Sequence, residues 1–547
     1  MSEYPTNSSD IVGGNPQEFD AIIIGAGFSG LYQLYSLRDK LGLRTVVLER
    51  GSGVGGTWFW NRYPGARCDS ESYYYSYSFS DELQQEWHWT ERYPEHSEIR
   101  RYLNFVADKF NLRKDIRLDT LITRAEFDEA RDCWHVTTDV GERLSARFLI
   151  TAVGCLSSAN MPKIPGLERF EGRWYHTGRW PHEDVDFTGR RVGLIGTGST
   201  GIQAAPVIAA KAAHLTVFQR TANYSVPARN GAMSAEDLAK IKADYPAIRH
   251  KARSSINGHP FDVSEDRALD VSPEDRLARY EAAWERGGLR FRATFKDLTT
   301  NKAANDTAAD FIRAKIRSIV KDPATAEMLA PKDHPFASKR PPIDTDYFEM
   351  FNRANVKLVD VKKSPIVEIT PSGIRTEDAE YDLDMIVFAT GFDAMTGPLL
   401  GMEIRGREGT RLKDAWMAGP RSYLGLQVPK FPNLFTITGP GSPSVLTNMP
   451  IAIEQHVDWI TGCIRHMLDR GFRRIEPDEG AAERWGAHVN DAANATLLPL
   501  ANSSWYLGAN VPGKPRAFMP YAGGMAHYAQ ICEQVVANSY EGFVMSA

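Results

Sequence analysis

Two six-residue runs have the composition and spacing to hold phosphate with backbone alone: GAGFSG at 25–30 and GTGSTG at 196–201. Glycine at the first, third and sixth places permits a tight turn, close approach of backbone to ligand, and a helix starting hard against a strand. Each run follows a short apolar segment, AIII at 21–24 and VGLI at 192–195, and leads into helix-compatible sequence. A helix beginning there points free N–H groups and the positive end of its dipole at a pyrophosphate. One copy could be a chance cluster or a bare turn. Two copies in the same strand–turn–helix setting predict two dinucleotide sites. The expected contacts are Gly25, Gly27, Phe28, Ser29 and Gly30 in the first, and Gly196, Thr197, Gly198, Ser199, Thr200, Gly201 and Gln203 in the second.

The strand after each turn separates the ligands. RTVVLER ends near Glu49, whose carboxylate can accept hydrogen bonds from ribose hydroxyls, so the first site suits FAD or NAD. HLTVFQRT instead brings Gln219, Arg220 and Thr221 to the equivalent place. An acid there would repel a ribose 2′-phosphate, whereas neutral Gln and cationic Arg accept it, so the second site suits NADPH. The competing reading makes Glu49 and Arg220 ordinary solvated strand ends.

The elements that must position these residues fit an α/β chain. At 547 residues there is length for two or three domains with their own cores. The pattern predicts two Rossmann-like dinucleotide-binding domains, one for FAD or NAD and one for NADPH, with a helical insertion in the second. Residues 1–19 read as a loose tail. Residues 20–155 and 390–547 form a split first domain, 156–229 and 331–389 the second, and 230–330 the insertion, which is polar and helix-friendly. A helix is expected over 97–112 with Ser97 as cap, strands at LITRAEFD, WHVTTD and RFLITAVG, a partner strand for the second unit in DLDMIVFATGFD, and a helix from about Pro450.

Composition narrows the partners. A net charge of −5 gives no electrostatic reason to expect nucleic acid or an anionic membrane surface. No run approaches the roughly 18 uninterrupted apolar residues of a membrane span. The polar N-terminus lacks the apolar core of a secretory signal, so a cytoplasmic location is expected. Cys68, Cys133, Cys155, Cys463 and Cys532 are far apart without CxxC, and the histidines include no HExxH or paired spacing. Neither disulfide chemistry nor a metal site is expected.

Between the glycine turns, FEGRWYHTGRWP at 170–181 resembles the FxGxxxHxxxW signature of type I Baeyer–Villiger monooxygenases, with Phe170, Gly172, His176 and Trp180 in place. GTWFWNRYPGARCD resembles that family's second signature through Gly56, Trp58, Tyr63, Pro64, Gly65 and Asp69. FATGFD, SKRPPID and SSWYLGANVPGKP are similar to further segments, so the resemblance runs from about residue 20 to 545. It implies FAD and NADPH as cofactors, and O2 and a small-molecule ketone as substrates. A flavin-borne peroxide attacks the ketone to give an ester or lactone.

Several roles are carried by the resemblance. Arg340 is the cation beside the anionic peroxide and the oxyanion of the adduct, where a fixed fork of donors serves better than an ammonium, and it also contacts NADP. Asp69 orients it. Taken alone, Lys339 and Arg340 could equally be a solvated basic pair. Lys339 joins Arg220 and Thr221 at the 2′-phosphate, and Trp505 meets the nicotinamide ribose. Gly56, Thr57, Trp58, Trp60, Asp69, Tyr75, Ile122 and Met449 complete the FAD contacts, with core packing as the alternative for the aromatics. His176 belongs to an interdomain hinge and performs no proton chemistry. GPGSPSVLTNM at 439–449 resembles the branch acting on aryl or bulkier ketones. It makes Ser444, Val445, Leu446 and Met449 pocket candidates, unless the loop only covers the flavin. Two rival functions stand beside this one: oxidation of nitrogen or sulfur in soft nucleophiles, and a flavoprotein kept for binding or regulation. The expected assembly is a monomer or weak homo-oligomer.

Overall fold

A computed structural model describes residues 17–547. The tail expected over 1–19 therefore lies outside the described residues up to 16, and its last three residues already belong to a strand. In chain order the strands are β1 (Gln17–Ile24), β2 (Thr45–Leu48), β3 (Ile116–Arg117), β4 (Ile122–Asp128), β5 (Cys133–Thr138), β6 (Arg143–Thr151), β7 (Arg173–His176), β8 (Arg191–Ile195) and β9 (His214–Gln219). There follow β10 (Val226–Pro227), β11 (Ile343–Asp344), β12 (Val356–Asp360), the meander β13 (Ile366–Thr370), β14 (Gly373–Thr376) and β15 (Glu380–Asp382), then β16 (Met385–Phe388), β17 (Glu403–Arg405) and β18 (Leu434–Thr436).

Two main sheets result. One runs β17-β4-β5-β6-β1-β2-β3 with β18 also on β6, and the other runs β12-β9-β8-β16-β7. β1 and β8 are central because their apolar runs need cover on both faces, which a parallel neighbour on each side and helices above and below provide. Register then sets the two edges. Ile24 lies level with Leu48 and Thr151, so Gly25, Glu49 and Ala152 emerge together at the carboxyl ends of their strands. Ile195 lies level with Phe218 and Phe388, so Gly196, Gln219 and Ala389 emerge together in the second sheet. Ligands of open parallel sheets bind at such ends.

The first and last glycines of the two turns meet the same constraints. Gly25 has φ +104° and Gly196 φ +110°, and a Cβ on either would strike the carbonyl oxygen of Ala152 or Ala389. A Cβ on Gly30 or Gly201 would overlap the carbonyl oxygen of the turn's own first glycine, which is why the helices Phe28–Tyr35 and Ser199–Lys211 can start so close to the strand. Gly198 differs, because a Cβ there meets no protein atom within 4 Å.

Between β10 and β11 the regular structure is helical, with α-helices Ala235–Ala243, Tyr245–Arg253, Pro273–Arg286, Lys302–Ile319 and Pro323–Leu329. Ser234, Ser272, Asn301 and Asp322 start four of them by accepting a backbone N–H in the first turn. Ala304, Ala308, Ile312 and Ile316 recur on one face of the longest and pack into the core that holds Leu215 and Val217 of β9. One cap departs from expectation. The helix expected from Ser97 is His96–Lys109, entered through Glu95, because an antiparallel bridge between Arg67 and Glu95 delivers the chain in extended form one residue early. Ser97 lies inside the first turn and caps nothing.

Gly201→Ala should lower the melting temperature by several degrees, since relieving such an overlap costs about 1–3 kcal/mol. Gly198→Ala should melt with the parent. Equal melting of the two variants in a thermal scan contradicts this account of the turn.

Candidate active site

Three loops meet at one guanidinium. Asp69 ends the loop after helix Thr57–Trp60, Arg340 precedes β11, and Val445 lies just before helix Met449–Arg470. Arg340 donates from Nε to Asp69 Oδ2 at 2.6 Å and from Nη2 to Oδ1 at 2.7 Å, a fork-to-fork pair, and from Nη1 to the Val445 carbonyl at 3.0 Å. Guanidinium has five N–H donors, so two stay available to a ligand. Both side chains are 23% exposed. Burial alone would lower the guanidinium's pKa, but the Asp69 charge and its hydrogen bonds raise it above the ordinary value, so the cation is permanent. Pro341 and Pro342 stiffen the exit into β11, which pairs with β10.

The sequence gives no warning of what surrounds this pair. Tyr506 is fully buried, with the Trp505 ring 4.5 Å from its own. Burial, then the neighbouring charge of Arg340, pushes the Arg292 guanidinium down to about 10. The same causes hold the His259 imidazole well below its usual range, so it is neutral. Arg292 and His259 come from the polar stretch between β10 and β11, where only folding brings them to the site.

At the first turn Glu49 is 5% exposed and is no solvated strand end. Its Oε2 accepts the Ala26 N–H at 2.7 Å and its Oε1 the Gly51 N–H at 2.8 Å, which presents the carboxylate along the turn. Phe28 packs edge-on against Tyr75, and buried Trp58 donates from Nε1 to the Tyr75 hydroxyl at 3.3 Å. Arg50 lies over the Trp60 ring. Thr57 is exposed, Gly56 and Met449 are half-buried, and Ser29 is buried. The Ile122 side chain is buried in the core with Ile22, Val46 and Leu48, so any cofactor contact there falls to its backbone.

At the second turn Gly198 and Ser199 are exposed, Thr200 is half-buried, and Thr197 Oγ1 donates to the Thr221 carbonyl at 2.8 Å. Gln203 accepts from the Tyr63 hydroxyl and donates to the Arg67 carbonyl, tying this helix to the loop that carries Asp69. Gln219 does not face the phosphate position, because its amide is buried and donates to the Met328 carbonyl at 2.7 Å. Arg220 is exposed beside Thr221, and Lys339 lies near it. Lys339 donates to Ser503 Oγ at 2.9 Å, and burial followed by the nearby Arg220 charge lowers its pKa.

Phe170 and Gly172 make a close turn, since a Cβ on Gly172 would lie 2.5 Å from the Asp384 carbonyl oxygen. Trp180 is buried. His176 is almost fully buried at the end of β7. Its Nδ1 accepts the Gly178 N–H at 3.0 Å, so Nε2 carries the proton and donates to Thr390 Oγ1 at 3.3 Å. Thr390 in turn donates to the Asn160 carbonyl at 2.7 Å, joining three segments. Ser444 also departs from expectation. It is fully buried at φ +41°, its hydroxyl 2.9 Å from Cys155 Sγ and 3.6 Å from Met395 Sδ, so it lines no pocket. Val445 contributes its carbonyl, and half-buried Leu446 and Met449 sit in the cluster that holds Trp505.

Known proteins resemble the chain along nearly its whole length. A flavin-binding monooxygenase-like family description matches residues 20–231. A Baeyer-Villiger monooxygenase of Pseudooceanicola batsensis is 45% identical over 530 residues, 96% of each chain. Phenazine N-monooxygenase PhzNO1 of Lysobacter antibioticus is 44% identical over 96% of this chain and 97% of its own. Among solved structures, an oxidized steroid monooxygenase bound to NADP superposes with a TM-score of 0.92 at 51% identity, over 97% of this chain and 100% of that one.

Burial holds His176 at about 4, against about 6.5 in an unfolded chain. Below pH 6.5 the unfolded state takes up a proton that the folded state refuses. Stability from this group is therefore complete above 6.5 and falls as pH drops toward 4, by up to about 3 kcal/mol. His176→Gln should flatten that part of the profile in denaturant melts. An unchanged acid slope contradicts the buried neutral assignment.

Proposed function

The chain belongs to the Baeyer–Villiger monooxygenases, and we propose that it oxidises a bulky or aryl-bearing ketone at the Asp69–Arg340 pair. It is an NADPH-dependent flavoprotein monooxygenase that uses O2 to convert a ketone to an ester or lactone. The residues present fit both cofactors. Backbone donors and Glu49 gather at the first turn, and exposed Arg220 with Lys339, which lies near Asp333, at the second. FAD, reduced by NADPH, supplies the activated oxygen when bound.

The chain's own contribution is placement and charge. Arg340 holds a permanent cation with two free donors where negative charge develops on the ketone oxygen. Such preorganised donors are worth more in transition states than in ground states. Asp69 fixes the fork and lets the charge survive burial. Leu446, Met449 and Trp505 offer an apolar and aromatic wall, and the 51% identical neighbour acts on steroids by its name, which supports a large ketone. Arg220, Thr221 and Lys339 take the 2′-phosphate, while Trp505 meets the nicotinamide ribose.

The proposed domain division is that of the sequence: 20–155 with 390–547 for FAD, 156–229 with 331–389 for NADPH, both Rossmann-like, and 230–330 as insertion. It is supported by β1–β6 with β17 and β18 sharing one sheet, and β7–β9 with β12 and β16 sharing the other. Among the described residues no helix is long and apolar enough to cross a membrane, and the five cysteines are free, which supports a reducing, cytoplasmic setting. The assembly proposed is a monomer or weak homo-oligomer.

A second reading, oxidation of ring nitrogen, is favoured by the 44% identical phenazine N-monooxygenase. Arg340→Ala separates the two, because a soft nucleophile needs no carbonyl-activating cation. The variant should retain FAD while ester formation falls at least a hundred- to thousandfold. Asp69→Ala should show a milder loss. Near-parental ester yield from Arg340→Ala contradicts the proposal, and surviving N-oxidation would favour the second reading. Arg220→Ala should raise the KM for NADPH about ten- to hundredfold and leave that for NADH nearly unchanged. Equal effects on both cofactors contradict the phosphate assignment.

A further inference from the structure

The outer face of the β4–β5 hairpin brings a carboxylate, a thiol and an imidazole to one point, away from the Asp69–Arg340 pair. Asp128 and Cys133 are direct cross-strand partners on either side of the turn, and His135 lies two residues beyond Cys133. The pleat therefore puts all three on one face, while Phe127, Trp134 and Val136 face the core. His135 Nε2 lies 3.3 Å from Asp128 Oδ2 and 4.0 Å from Cys133 Sγ, and one ligand atom from each residue falls within 4.8 Å of the other two. A tetrahedral ion with bonds of about 2.0–2.3 Å needs ligand separations of roughly 3.3–3.8 Å, which small side-chain adjustments reach.

The bonding around the triad leaves the right atoms available. Asp128 Oδ1 is taken by the N–H groups of Ala130 and Arg131, so Oδ2, which faces His135 Nε2 and lies 4.0 Å from Arg131 Nε, is the oxygen left for an ion. His135 Nδ1 is buried without a partner, which leaves Nε2 as the polar outlet of the ring. Glu126, level with His135 on the same face, is occupied by Arg124 and Arg405. The turn itself is held from behind, where Asp132 pairs with Arg473 and Arg474. A thiolate with an imidazole and one carboxylate suits zinc or a similar borderline ion, whereas magnesium and calcium prefer all-oxygen sets.

We propose that Asp128, Cys133 and His135 form a zinc-type site with three protein ligands and an open fourth position, which staples the end of the β4–β5 hairpin. This departs from the expectation of no metal. The spacing D-x4-C-x-H matches no familiar ligand pattern, and only the hairpin register sets Asp128 opposite Cys133. Binding requires Cys133 to ionise, so one thiol proton leaves to solvent as the metal–sulfur bond forms.

The test is calorimetric titration of FAD-loaded, chelator-stripped protein with zinc chloride, beside Cys133→Ser, Asp128→Asn and Cys463→Ser variants. The expected result is one saturable ion per chain, with proton release that grows as pH falls below the thiol's range. Affinity should drop at least tenfold in the first two variants and persist in the third, a buried cysteine elsewhere. The melting temperature should rise with zinc only where binding persists, and NADPH turnover should match the parent in every variant. Absence of saturable binding, or equal affinity in Cys133→Ser, overturns the proposal and leaves the triad as an ordinary His–Asp hydrogen bond beside a thiol.

Discussion

Arg340 and Asp69 stand 271 positions apart in the chain and meet through two hydrogen bonds of 2.6 and 2.7 Å. A guanidinium held among Tyr506, Arg292 and His259 would lose much of its hydration, and without an acid it would be costly to keep. The carboxylate reverses that balance and fixes the plane of the fork. Burial and the Arg340 charge act on the neighbours. Arg292 is pushed toward losing its proton, and His259 is held neutral, chiefly by burial and then by the surrounding positive charge. A site with more cations than acids favours an anion, and anionic oxygen is what Baeyer–Villiger chemistry must stabilise.

The same pair depends on how the two sheets are joined. Asp69 sits on a loop wedged against the second glycine-turn helix. A Cβ on Gly65 would lie 2.5 Å from the Gln203 carbonyl oxygen, and Tyr63 and Arg67 hydrogen-bond the Gln203 side chain. Arg340 arrives next to Lys339, which reaches Ser503 beside Trp505. Of the three residues proposed for the NADPH phosphate, Lys339 is the one that shares a short segment with Arg340, while Arg220 and Thr221 come from the end of β9.

Much of this was legible in the sequence where one residue type answers one steric demand. Apolar runs could be only central strands, and glycines at positive φ against a neighbouring carbonyl could be only turns. Asp69 and Arg340 were readable through motifs. What escaped depends on side-chain direction or on contacts distant in the chain. Gln219 sits where a phosphate ligand was expected, but its amide turns to Met328. Ser444 takes a left-handed backbone that aims its hydroxyl at Cys155. Ile122 serves the core, and Glu95 replaces Ser97 because a bridge to Arg67 sets the entry angle. Arg292, His259 and the Asp128–Cys133–His135 triad carry no local pattern, since their meaning arises only when the helical stretch or the hairpin closes.

The central claim is that Asp69 acts on oxygenation only through Arg340. A double-mutant cycle measured as ester formed per NADPH consumed, across parent, Asp69→Ala, Arg340→Ala and the double variant, tests it directly. If the acid works through the cation, the double variant gives the same ratio as Arg340→Ala alone, and the two losses are strongly non-additive. Additive losses, with the double variant falling further by the full Asp69→Ala factor, would contradict the account and assign Asp69 an independent role in the chemistry.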